Sequence, residues 1–114
     1  MTSAMTGTGT PAAVRTSVEA TDRGDAEAFT AAFTHDAELD DRGREYHGRD
    51  GVRGWYRTDN IGVRAHFTLD AIEPGRSPAT HVATLTVTGN GYNGTGPMTF
   101  RLRDGLIAGL RIGP

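Results

Sequence analysis

The chain has 114 residues, a net charge of −2 and no cysteine. One domain is the expected organisation at this length, and a disulfide framework, a thiol nucleophile and a Cys-ligated metal are excluded. All 12 basic residues are arginine and are scattered among 14 acids, which argues against a nucleic-acid surface, and no apolar run reaches membrane-spanning length.

Residues 1–9 are rich in Thr, Gly, Ser and Ala and carry nothing to bury. They are expected to form a disordered lead-in to a single domain over residues 10–114. The lead-in has neither a basic flank nor an apolar segment, so a cytoplasmic protein is expected. Thr10-Pro11 reads as a helix start, with a capping hydroxyl followed by proline at the first helical position. Val14 and Val18 share one face of this helix, with Ser17 and Thr21 beside them. Gly24 ends it and Asp25 caps a second helix, whose apolar stripe is Ala26, Phe29, Ala32 and Phe33.

From Ala37 the period changes from helical to two. Ala37, Leu39 and Asp41 point one way; Glu38, Asp40 and Arg42 point the other. Gly43 turns the chain, and residues 44–47 return as a short strand. A third helix is predicted over residues 49–58, with Val52, Trp55 and Tyr56 on one face. The remainder is strand and turn. Val63, Ala65, Phe67, Leu69 and Ala71 alternate with polar residues. Residues 81–88 are rich in β-branched side chains, residues 89–96 form a glycine-rich hairpin loop carrying Tyr92, and Asp104-Gly105 marks a final turn. Four strands joined by hairpin connections predict an antiparallel meander, covered on one side by the helices that precede it.

This order of elements resembles the nuclear transport factor 2-like superfamily, and within it the SnoaL-like and ketosteroid isomerase-like members. The residues that carry the resemblance are Arg23-Gly24-Asp25, Phe29 with Phe33, Asp36-Ala37 leading to Asp40-Asp41, His47-Gly48-Arg49-Asp50-Gly51-Val52 ahead of Trp55, and Phe100-Arg101-Leu102-Arg103-Asp104-Gly105-Leu106-Ile107. The resemblance implies a cone-shaped α+β barrel: a strongly bent antiparallel sheet packed on three helices, with a pocket inside the cone. It also implies homodimers through the outer sheet face. That face would carry Arg64, His66, Thr68, Thr84, Thr86, Arg101 and Arg111. The chemistry it implies needs no cofactor: isomerase, cyclase or hydratase reactions on an apolar carbonyl compound. The alternative is a non-catalytic dimeric module of the same fold that binds a ligand or a protein.

By the same resemblance the proton-shuttling aspartate falls at Asp41, which strand alternation independently turns inward. The oxyanion-donating tyrosine of the isomerase-like pattern falls on Ser17, and its second acid on Met98. In an apolar pocket a partly desolvated carboxylate can act as base or acid. A strand-end aspartate can equally be paired with Arg42 or Arg44. Ser17 is a candidate hydrogen-bond donor, and His47, at a helix start, a candidate acid–base group. Phe29, Phe33, Trp55, Tyr56, Phe67, His81 and Met98 are the candidate ligand-binding wall. No pair of histidines has metal-ligand spacing, so no metal is expected.

Overall fold

A proline and a glycine bracket the first helix. Pro11, at φ −55° and ψ 144°, sits just outside α1 (Ala12–Arg23) and makes no side-chain cap, so the expected Thr10 hydroxyl cap is not formed. At the other end Gly24 adopts φ 69°, the left-handed conformation that costs glycine least, and its N–H meets the carbonyls of Ala20 and Thr21. Asp25 follows at once and accepts a 3.0 Å hydrogen bond from the Ala28 amide, opening α2 (Ala26–Ala31). The computed structural model describes residues 10–60, 64–77, 79–91 and 93–113. The lead-in over residues 1–9, Val63 and Tyr92 lie outside the described residues.

The second helix is shorter than its apolar stripe predicts. Phe33 opens β1 (Phe33–Asp41) instead of closing the helix. The reason is tertiary: Phe33 pairs with Ile107, and the Ile107 amide donates to Ala32 O at 2.8 Å. Strand β1 is irregular between Phe33 and Glu38. There Arg49 donates Nε and Nη2 to Phe33 O at 2.9 and 2.7 Å, supplying donors to a carbonyl where the ladder is interrupted. A two-residue turn at Arg42 (φ 53°) and Gly43 (φ 97°) leads into β2 (Arg44–His47). Helix α3 (Gly48–Trp55) continues into a π-helical turn, Tyr56–Asn60.

The remaining strands are β3 (His66–Pro74), β4 (Thr80–Thr88), β5 (Gly94–Arg103) and β6 (Leu106–Ile112). Their order in the sheet is β2-β1-β6-β5-β4-β3. The meander β3 to β6 is antiparallel as the hairpin connections predict. The join between the two halves of the chain is not: β1 lies parallel to β6. The sheet is therefore mixed, and it stays open, with β2 and β3 at its two edges. A bulge at Asp70 also corrects the parity of β3. The extra residue turns Ala71 outward, where it is exposed, and brings Ile72 against the core.

One apolar core lies between the helices and the inner sheet face. It joins Val14 and Val18 of α1, Phe29 of α2 and Val52 and Trp55 of α3 to Leu39, Leu85, Phe100 and Leu110 of the sheet. Each such side chain contributes about 1.5–3 kcal/mol when fully withdrawn from water. No helix of the described residues is long and apolar enough to cross a membrane.

Candidate functional site

Strand register decides which inner residues are packed and which face open space. One row crosses the sheet as Leu39, Leu110, Phe100 and His81 in directly paired positions. Leu39, Leu110 and Phe100 are buried here, so this end of the cone is solid. Two residues further along the strands, the next row reads Asp41, Ile112, Met98 and Ala83. Beyond it stand Gly96 with Leu85 and Gly94 with Val87. This end holds a cavity of about 460 Å³ that opens to solvent. Its apolar wall is Trp55, Phe67, Leu85, Val87, Met98 and Ile112, and its charged residues are Asp41, Arg42 and Arg44.

Asp41 is held from two sides. Trp55 donates its indole Nε1 to Asp41 Oδ2 at 3.0 Å, and Arg44 Nη2 approaches the same oxygen at 2.5 Å. The side chain of Asp41 is only 14% exposed, against 56% for Arg44. Arg44 is also the residue paired with Asp41 across the β1–β2 hairpin, so the ion pair follows from register. The hairpin is further fixed by Gly43 N donating to Asp40 Oδ1 at 2.8 Å and by Arg42 N donating to Ile112 O at 3.2 Å. The carboxylate thus enters the cavity on a braced strand end, clamped by α3 and β2.

The other expected site residues are not all brought here. Met98, Phe67 and Trp55 line the cavity with Asp41. Ser17 does not: its hydroxyl donates to Val14 O at 2.7 Å, inside its own helix, and the residue is buried in packing. His47 stands on the opposite face, two-thirds exposed, with Glu38 and Glu45 at 3.8 and 3.9 Å. It points away because β2 alternates and His47 pairs with Glu38, an outward residue of β1. Phe29 and Phe33 belong to the solid core, with ring centroids 5.1 Å apart. Tyr56 stacks on Phe29 at 4.2 Å and donates its hydroxyl to Ala20 O at 3.1 Å; burial pushes its phenol above the ordinary value. His81 lies in the packed row opposite Phe100, two residues short of the cavity.

Sequence reading missed Arg44 as a cavity residue, although it named Arg44 as a partner for Asp41. Leu85 and Val87 were missed too, although they share the inward parity that singled out His81. Among the described residues no group of three or more His, Asp or Glu could hold a metal ion.

The family model of the SnoaL-like domain matches residues 14–110. No curated protein sequence matches. Among solved structures, protein SMa1630 from Sinorhizobium meliloti superposes with a TM-score of 0.81 at 21% identity, over 90% of this chain and 94% of its own. Delta 5-3-ketosteroid isomerase from Mycobacterium sp. is 27% identical, with a TM-score of 0.74 over 88% of each chain. RV0760c from Mycobacterium tuberculosis, solved in complex with estradiol-17beta-hemisuccinate, gives 0.76 at 21% identity, over 87% of this chain and 88% of its own. Three helices on an open, six-stranded mixed sheet match the cone-shaped α+β fold of these structures, and the chain belongs to the SnoaL-like domain family, within the nuclear transport factor 2-like fold.

Proposed function

We propose that the cavity takes a small, largely apolar carbonyl compound and that Asp41 shuttles a proton next to the carbonyl, in isomerase, cyclase or hydratase chemistry. One observation carries this reading: a nearly buried carboxylate is fixed at the wall of a mainly apolar hollow, beside Arg42 and Arg44. Trp55 and Arg44 share Oδ2, so the opposite oxygen, Oδ1, is the one that would take the proton. Fixing the base in advance removes an orientation cost from the transition state. The ketosteroid isomerase and steroid-bound relatives support an apolar ring as the occupant.

The test is proton exchange in D2O. 2-Decalone is incubated with the protein, and deuterium entry beside its carbonyl is followed by NMR. A positioned general base supplies about 100-fold or more, so Asp41→Asn should lose exchange by that factor while binding of the ketone is retained. Background exchange with bound ketone would overturn the catalytic reading.

A second reading, a non-catalytic ligand-binding module, is favoured by Met98 and Ser17. The first puts a thioether where an acid was expected, and the second spends its hydroxyl on Val14. Neither supplies a partner for Asp41 in acid–base work. We also propose a homodimer through the outer sheet face. Glu38 and Asp40 share a shallow groove there with Arg101 and Arg111, and a two-fold axis can set the acids of one copy against the arginines of the other. Sedimentation velocity showing only monomer at micromolar concentration would refute it.

A further inference from the structure

Gly96 and Gly109 stand inside strands β5 and β6, where glycine weakens a sheet and gives no side chain to packing. Gly109 has a packing reason. A Cβ there would come within 3.0 Å of Arg101 Nη2, so the guanidinium lies across its bare backbone. Gly96 has no such reason. Its φ lies outside the left-handed range, and the β4–β5 register runs through it without a bulge. Its chain neighbours apart, no atom of the described residues lies within 4 Å of the place a Cβ would take. A residue with a side chain could adopt this backbone and would meet open space.

That open space is the cavity. Gly96 faces inward with Met98, two positions along the strand, and pairs with Leu85; all three line the hollow. Met98 in turn shares its row with Ile112 and Asp41. Two strand spacings across the sheet and one pleat repeat along it put the Gly96 backbone roughly 12 Å from that of Asp41. The two residues mark opposite sides of the hollow, a carboxylate on one and bare backbone on the other. A side chain at Gly96 would project into the cavity and shorten it. Glycine keeps that length open at a cost to the strand.

We infer that Gly96 is a specificity-determining residue, which sets the length of the apolar body that the cavity accepts. This rests on the small-molecule reading above and deepens it. A ketone with its carbonyl at Asp41 runs past Met98, and its far ring lies on the peptide backbone at Gly96, against Leu85. A molecule of one ring stops short of Gly96. The discrimination is steric: filling the space takes contacts from a long ligand and none from a short one. One misfitting methylene group in an apolar pocket costs about 10- to 200-fold. The low end applies here, because the cavity opens to solvent and a long ligand can shift toward its mouth.

Two ketones test it: 4-methylcyclohexanone and 4-cyclohexylcyclohexanone, which share the ketone ring and differ by a second ring at the far end. Each is titrated into the isotope-labelled full chain. Dissociation constants are read by NMR from the indole N–H of Trp55, the single tryptophan, which lines the cavity. The two-ring ketone should bind the wild-type protein at least about tenfold more tightly, from the extra apolar surface it buries. Gly96→Val should weaken the two-ring ketone by about tenfold and leave the one-ring ketone within about twofold, with Gly96→Ala between. Both variants should melt at or above wild type, since a side chain replaces glycine in an extended strand. A large fall in melting would reveal a packing role and overturn the inference. So would equal wild-type affinities, an unchanged two-ring affinity in Gly96→Val, or an equal loss of both ketones; each leaves the pocket reading standing. Failure of both ketones to bind the wild-type protein would overturn the pocket reading and this inference with it.

Discussion

Trp55 is the residue through which the helical layer fixes the carboxylate, and its removal has a calculable cost. Trp55→Phe keeps an aromatic ring near Phe29, whose centroid lies 6.1 Å away, and deletes the 3.0 Å hydrogen bond to Asp41. A hydrogen bond to a charged group contributes about 1.5–3 kcal/mol. Two features reduce that here: Arg44 stays on the same oxygen, and the adjoining cavity has room for water to replace the indole N–H. A coupling of about 1 kcal/mol between the two side chains is the reasoned value. The single substitution also loses ring volume at a site 3% exposed, so its whole cost is about 2 kcal/mol. At about 4–8 °C per kcal/mol for a domain of roughly this size, melting should fall by about 8–16 °C. The assay is a double-mutant cycle of Trp55→Phe and Asp41→Ala, with urea unfolding followed by far-ultraviolet circular dichroism. The contact of Asp41 with Arg44 appears in both legs of the cycle and cancels. Strict additivity, with a coupling under about 0.3 kcal/mol, would refute the view that Trp55 holds Asp41.

Phe29 separates core from cavity wall: it is 1% exposed and stacked on Tyr56, so Phe29→Ala should cost about 3–5 kcal/mol in urea unfolding. A loss below about 1 kcal/mol, together with altered ligand binding, would return it to the wall, since that small a penalty marks a side chain with little packing. Asp36 predicts the acid limb of stability. Its carboxyl is held down from 3.8 to about 2, first by its hydrogen bond from Arg103 and then by that from Thr34. A carboxyl that ionises more readily when folded stabilises the fold above pH 3.8, and that contribution disappears as the pH falls through about 2. Asp36→Asn should therefore flatten the decline of the urea midpoint between pH 4 and pH 2, and an unchanged slope would count against the pairing.

Much of the fold was legible because its signals are local. Gly24 and Asp25 end one helix and begin the next through their own backbone geometry and side chain. Alternation along β1 turns Asp41 inward with Leu39, and hairpin signals order the last four strands. Phe33 shows where local reading stops. Its helical spacing from Phe29 is sound, yet a partner 74 positions away, Ile107, pulls it into the sheet. Ala71 fails for a similar reason, since a one-residue bulge is written in the pairing of β3 with β4 and not in β3 alone.

The site divides along the same line. Residue type and parity by themselves determined that one carboxylate and a set of apolar side chains face the inside of the cone. They could not separate Phe29 and Tyr56, which meet packing alone, from Trp55, Phe67 and Met98, which also line the cavity. That separation depends on which residues stand in the same row across strands distant in sequence, and on how far the helices reach over them. The parallel pairing of β1 with β6 puts Asp41 beside Ile112, and the antiparallel pairing of β5 with β6 adds Met98 to the same row at the open end. Parity is a property of one strand; enclosure is a property of many elements at once, and only the tertiary structure decides it.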